Sequence, residues 1–162
     1  MKQLRLIYLC LQHTKEGQAS YAHVHEIIKG LRKRSWEVKL FEPMYVQRSS
    51  ILGIIKRLMA FISVQFALLL NIYKNESDVI YIRNNFASFP TALLAKIISK
   101  PVVQEVNGPY EDLFIAWPET KLLACLFKWL ICIQLKWANV VIVVTPQLGK
   151  WVRIKRVKIQ FK

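Results

Sequence analysis

Two short polar clusters interrupt an otherwise apolar chain, Arg83-Asn84-Asn85 and Glu105-Val106-Asn107-Gly108. Placed at the carboxyl ends of neighbouring strands, the two clusters would converge on one crevice, which makes them the best site signal in the chain. Glu105 closes an apolar run, where burial would raise its pKa and fit it to accept a proton. Glu105 is therefore a candidate catalytic residue, and Arg83, Asn84, Asn85, Asn107 and Gly108 are candidate binding residues. The same residue types also serve local structure: Asn85 suits a helix cap, and Asn107-Gly108 suits a turn.

A third cluster, His13-Thr14-Lys15-Glu16-Gly17-Gln18, precedes a helical pattern. Backbone amides at a helix start favour an anion such as phosphate, which makes Gly17, Gln18, Ser20 and Tyr21 candidate contacts. A single glycine falls short of the fingerprint that binds dinucleotides, and Gly17 also fits a plain turn. Metal binding is not expected. His23 and His25 lie two apart on a helix and so point in nearly opposite directions, and nothing completes a ligand set. Ser20 and His23 lack the elbow and orienting acid of a hydrolase triad. Glu111 and Glu119 are separated by Pro118 in a stretch that reads as loop, so the sequence does not direct them to one site.

The elements that position these clusters alternate. Gln3–Leu11 is a nearly continuous apolar run, as expected of a strand covered on both faces. Ala19–Arg34 has apolar residues at helical spacing and basic residues in its last turn, where they suit the helix dipole. Trp36–Phe41 reads as strand, Ile51–Tyr73 as helix, Asp78–Ile82 as strand, Ser88–Ser99 as helix and Pro101–Val106 as strand. Lys121–Ala138 is helical again, and Val140–Val144 is a β-branched strand. The pattern predicts an α/β fold, a Rossmann-like doubly wound and mostly parallel sheet with helices on both faces, whose ligands gather at the carboxyl ends of the strands. Trp151–Lys162 alternates apolar and basic residues, with Val157, Ile159 and Phe161 at period two, and is expected to form a terminal basic strand. The expected organisation is one domain over residues 1–150, followed by residues 151–162 leading toward a second domain that is absent.

At 162 residues, 54% of them hydrophobic, the chain can bury one core, disorder is not expected, and some apolar surface is left over for a partner. Its formal net charge of +14 is concentrated at Lys29–Arg34 and from Lys150 onward, which favours phosphate-bearing partners. Three cysteines in apolar segments, an odd number, argue against a disulfide framework. The apolar run after Lys2 and Arg5 is too short for a leader and has no cleavage signal, so it reads as a buried strand. No nucleic-acid motif accompanies the charge, and nucleic acid is not an expected partner. In Ile51–Tyr73 the uncharged stretch Leu58–Tyr73 falls short of the ~20 residues that span a bilayer. Either that helix is wholly buried or its outer face lies at a membrane surface, with Lys56 and Arg57 toward anionic lipid. Lys121, Lys128 and Trp129 on the later helix are further expected membrane contacts, since tryptophan beside lysine suits an interface. The expected location is cytoplasmic, peripheral on the inner membrane face.

The order of motifs resembles glycosyltransferase family 4. Gly17 followed by Ala19-Ser20-Tyr21-Ala22-His23-Val24-His25-Glu26-Ile27 and Leu31, then Ser35-Trp36-Glu37-Val38, is similar to the family's first βαβ unit. There a glycine loop precedes a helix carrying HVxEL and a GHEV turn; Ser35-Trp36 stands where the family has Gly-His. Asp78-Val79-Ile80-Tyr81, Pro101-Val102-Val103 and Ala138–Thr145 resemble the strands that follow, and Thr145 joins the candidate binding residues. The resemblance implies the acceptor-side half of a two-domain, GT-B type enzyme. Such an enzyme transfers a hexosyl unit from a nucleotide sugar with retention, without a metal or other cofactor. It further implies a sugar acceptor, lipid-linked or polysaccharide, and a separately encoded second domain as partner. Asn107-Gly108 stands where many relatives have His-Gly, and the resemblance thereby makes Asn107 the second candidate catalytic residue, able to hydrogen-bond a hydroxyl but not to take a proton. The family's glutamate pair belongs to the second domain, so Glu111 and Glu119 only mimic its spacing. The chain alone is expected to be weak or inactive; the alternative is a noncatalytic module that binds membrane or a partner.

Overall fold

Among the described residues the chain forms five strands and six α-helices, in a computed structural model that describes residues 3–44, 51–74, 77–116 and 118–157. In chain order these are β1 (Arg5–Leu9), α1 (Ala19–Lys33), β2 (Glu37–Phe41), α2 (Ile51–Tyr73), β3 (Val79–Arg83), α3 (Phe89–Ile97), β4 (Val102–Val106), α4 (Asp112–Ala116), α5 (Ala124–Trp137), β5 (Val140–Val143) and α6 (Pro146–Val157). The strands make one parallel sheet in the order β2-β1-β3-β4-β5. The chain divides into two compact units, Met1–Tyr81 and Ile82–Lys162.

In the first unit the apolar run of β1 is fully inside, with Leu6, Ile7, Tyr8 and Leu9 all buried. It pairs with β2 in parallel register from Arg5↔Glu37 to Leu9↔Phe41. Asp78 ties the entry of β3 to the same strand: its carboxylate accepts from the Arg5 backbone N–H at 2.9 Å, and its own N–H donates to the Arg5 carbonyl at 2.8 Å. The Tyr8 and Tyr81 rings stack at 4.6 Å. α1 buries Val24 and Ile28, four residues apart on one face. The chain leaves α1 through Ser35, whose φ of 64° is in the left-handed region that favours glycine. That is the position where the family pattern has glycine.

In the second unit β4 and β5 are parallel, from Val103↔Val140 to Val106↔Val143. Asn139 joins their starts, its Oδ1 accepting from the Val102 N–H at 2.8 Å and its N–H donating to the Val102 carbonyl at 2.9 Å. A core of Val106, Ile131, Leu135, Leu148 and Val152 is closed by Phe86, Val141 and Trp151.

The terminal segment corrects an expectation. Residues 151–157 are helical, the end of α6, and not strand; residues 158–162 lie outside the described residues. The Thr145 hydroxyl caps this helix, accepting from the Leu148 N–H at 3.2 Å, and Pro146 fills its first position. Leu148 and Val152, four apart, then bury one face, and this outweighs the period-two alternation of the segment. Among the loops, residues 112–116 form a one-turn helix and Pro118–Leu123 a 3₁₀ stretch.

Candidate functional site

In the second unit, the polar residues gather where β3, β4 and β5 end. Asn84 donates its backbone N–H to the Glu105 carbonyl at 2.8 Å, which places the two polar clusters side by side. Glu105 is buried at 1% exposure, and its Oε1 accepts from the Asn107 Nδ2 at 2.6 Å. Both candidate catalytic residues are thus joined to each other. Asn107, Gly108, Arg83, Asn84 and Asn85 are half-buried, and Thr145 is exposed. Gly108 packs so closely on α4 that a Cβ there would lie 2.9 Å from the Asp112 Oδ2. Any side chain at this position would have to displace that carboxylate.

Asn85 has the capping role that its residue type allows. Its Oδ1 accepts from the Ala87 N–H at 2.9 Å, and it opens a 3₁₀ turn, Phe86–Ser88, that leads into α3. A residue the sequence did not mark holds this turn. Gln134 of α5, fully buried, accepts from the Ser88 Oγ at 2.8 Å and donates to the carbonyls of Asn85, Phe86 and Leu130 at 3.3, 3.5 and 3.1 Å. A buried glutamine in an apolar helix is the signal that would have found it, because such an amide needs partners.

The loop after β4 is held by a second unmarked residue, Lys155 of α6. Its Nζ donates to the Tyr110 hydroxyl at 3.1 Å and to the Glu111 Oε1 at 3.0 Å, and lies 4.9 Å from the Tyr110 ring centre and 5.2 Å from that of Trp151. Burial acts against the ammonium form, but the hydrogen bonds to Tyr110 and Glu111 outweigh it and raise the Lys155 pKa. Burial also raises the Tyr110 pKa, with the hydrogen bond from Lys155 a partial offset. Glu111 is therefore engaged with α6. The Glu119 side chain is outside the described ones.

In the first unit, Gly17 has a φ of 86°, with open space around an added Cβ, so the turn itself accounts for the glycine. Gln18 occupies the N-cap of α1 in extended conformation, without a side-chain capping bond. Ser20 is half-buried, and the Tyr21 ring lies 3.9 Å from that of His25. The loop is braced to the end of β2: the Thr14 Oγ1 donates to the Glu42 Oε2 at 2.9 Å, and the His13 Nδ1 is 3.2 Å from the Pro43 carbonyl. A groove of about 500 Å³ runs along α1, lined by His25, Glu26, Lys29 and Arg32. Among the described residues no group of three His, Cys, Asp or Glu side chains stands ready to hold a metal ion.

Of the expected membrane contacts, Lys56, Lys121 and Lys128 are exposed, and Trp129 is 42% exposed with its ring 5.7 Å from that of Phe89. Arg57 is not on the outer face expected of it. It is half-buried with its Nε enclosed, on the side of α2 that carries Phe61, Gln65 and Leu68. The length reading also changes. Ile55–Tyr73, 19 residues of which 17% are buried, is long and apolar enough to cross a membrane by length and composition.

A parallel α/β sheet with polar side chains at the carboxyl ends of its strands defines a Rossmann-like domain. The sequence model of Glycosyltransferase Family 4 matches residues 22–158, well over half of the chain, and the chain belongs to that family. The match takes in Glu105, Asn107 and the α6 helix but begins after Gly17, Gln18, Ser20 and Tyr21. No curated protein matches the chain.

Proposed function

We propose that this domain is the acceptor-side half of a retaining glycosyltransferase. In this reading it holds a lipid-linked or polysaccharide acceptor while a hexosyl unit arrives from a nucleotide sugar, at the cytoplasmic face of a membrane. The observation that carries the reading is the joined set Asn84, Glu105 and Asn107 at the strand ends of a family 4 domain. Half-buried amides beside a buried carboxylate offer donors and acceptors spaced for sugar hydroxyls. Asn107 orients a hydroxyl and Glu105 is the only one of the three that can take a proton. In these residues alone no basic group is assigned to a departing diphosphate, and electrostatic stabilisation of that kind is ordinarily a dominant catalytic contribution. A polypeptide of these 162 residues is therefore expected to bind acceptor but to turn over slowly or not at all; a separately supplied second domain would restore the rate.

The test is side-chain amide NMR of the purified chain during titration with a polyprenyl-diphosphate sugar. Shifts at Asn84 and Asn107, with the shift at Asn84 lost in Asn107→Ala and the remaining spectrum unchanged, are the expected result. Absence of any shift at these amides would remove the acceptor reading, and steady turnover with a nucleotide sugar would remove the claim that the chain is slow alone. A noncatalytic module that docks on a partner is the second reading. It is favoured by the apolar side chains that the second unit leaves exposed, among them Ile115, Leu122, Leu123 and Val140.

A further inference from the structure

The largest unpartnered apolar surface of the first unit lies on α2. Gln65, Leu68 and Ile72 are buried, and Arg57 and Phe61 are half-buried; their spacing marks one face of the helix as the inner one. The opposite face carries Ile55, Leu58, Met59, Ile62, Phe66 and Leu70, each more than two-fifths exposed. These residues recur three and four apart, as an apolar stripe does when it faces a core, yet here the stripe faces outward. It continues to Tyr73, 85% exposed, over a length of about 27 Å at 1.5 Å per residue.

Charge identifies the occupant. Residues 51–74 contain no Asp or Glu. Lys56 and Lys74, eighteen residues apart and therefore on one side of the helix, border the exposed stripe together with Ser63 and Ala67. Lys39 of β2 reaches the same border, where its Nζ donates to the Asn71 Oδ1. The stripe is thus apolar at its centre and basic along one edge, on a chain of net charge +14. A second copy laid face to face on this stripe would bring lysine edges of like sign together, whereas an anionic lipid surface neutralises them.

We propose that α2 lies in the plane of an anionic phospholipid surface, with Ile62 and Phe66 inserted among the acyl chains and Lys56 and Lys74 at the headgroups. Its composition would allow it to span a bilayer, but a lone spanning helix meets lipid on all sides, and the buried Gln65, Leu68 and Ile72 hold one side of this helix against protein. The proposal rests on α2 alone and not on sugar transfer, so vesicle binding and acceptor binding fail separately.

Flotation of the full chain with phosphatidylcholine vesicles, with and without phosphatidylglycerol, at low and high salt tests it. At low salt the anionic vesicles should bind at least tenfold more tightly than the neutral ones. Ile62→Ser with Phe66→Ser, both at exposed positions, should weaken binding at least tenfold while leaving the circular dichroism spectrum unchanged. Lys56→Gln with Lys74→Gln should weaken it roughly twenty-five-fold at low salt and reduce the salt dependence, at about fivefold per lysine. Equal binding to neutral and anionic vesicles, or binding indifferent to both double variants, overturns the proposal. So does a dimer in sedimentation velocity that Phe66→Ser abolishes while vesicle binding persists, which would give the stripe to a second copy. Retention in the membrane after alkaline carbonate overturns the in-plane orientation.

Discussion

Replacing Gln134 by Met tests whether the polar turn after β3 is held from behind by α5. The substitution keeps the length of the side chain and removes its amide. Four contacts disappear: the bond from the Ser88 Oγ at 2.8 Å and the three to the carbonyls of Leu130, Asn85 and Phe86 at 3.1, 3.3 and 3.5 Å. The partners are not all orphaned, because the single Ser88 hydroxyl proton can turn wholly to the Asn85 carbonyl, and the Phe86 carbonyl accepts the N–H of Phe89. The loss is therefore counted as bonds broken and not as bare buried groups. Two to three well-formed bonds at roughly 0.5–1.5 kcal/mol each give about 2 kcal/mol, less some relief from no longer burying the amide. For a chain of this size, about 2 kcal/mol lowers Tm by roughly 4–8 °C. Urea denaturation followed by circular dichroism should show a lower midpoint with an unchanged slope. Ser88→Ala combined with Gln134→Met should cost less than the sum of the two, by about 1 kcal/mol, since they share a bond. A Gln134→Met protein as stable as the parent, with amide exchange at Ala87 no faster, would refute the reasoning that this glutamine fixes the turn.

The Lys155 cluster gives the chain an alkaline weakness. Lys155 holds its proton more tightly folded than unfolded, so its contribution is complete below the ordinary lysine value, about 10.4, and is lost as pH rises through the higher folded value. Tyr110 is raised as well, so the fold resists its ionisation and loses stability above about pH 10. Urea midpoints should therefore fall above about pH 10, and Lys155→Met combined with Tyr110→Phe should flatten that fall, because Lys155→Met alone would leave Tyr110 buried without its partial offset; an equally steep fall in the double variant would count against the cluster. At the end of α1, Ser35→Gly should stabilise by roughly 0.5–1 kcal/mol, because Ser35 pays for a left-handed φ that glycine adopts freely. An unchanged or lowered urea midpoint in that variant would show that the Ser35 side chain supplies something the backbone argument omits.

The strands and long helices were legible because each has one dominant pattern. β1 is an uninterrupted apolar run, buried from Leu6 to Leu11, and α1 repeats its apolar positions at helical spacing. The misread segment had two patterns at once. Val157, Ile159 and Phe161 alternate as in a strand, while Leu148 and Val152 are spaced as in a helix, and the deciding signal was local: Thr145-Pro146 is a cap followed by the residue best suited to a first helical position. With that helix taken for a strand, Lys155 could not be placed beside Tyr110 and Glu111, so the bracing of the loop after β4 was hidden with it. The site was legible as residue types but not as geometry, since the bond from Asn84 to the Glu105 carbonyl depends on which strands are neighbours.

α2 shows a different limit. Its bounds, Ile51–Tyr73, agree with the periodic reading, but which face turns inward does not follow from the pattern. Nearly every position is apolar, so a face containing Leu68 and Ile72 and a face containing Ile62 and Phe66 are equivalent by composition. What separates them is the few polar side chains. Arg57 and Gln65 turn toward protein, and Asn71 meets Lys39 at the border. The outward face keeps only residues that a lipid surface tolerates. Arg57 is thus on the protein side, and the charges that border the outward face are Lys56 and Lys74, a pair that only the helical phase brings into line.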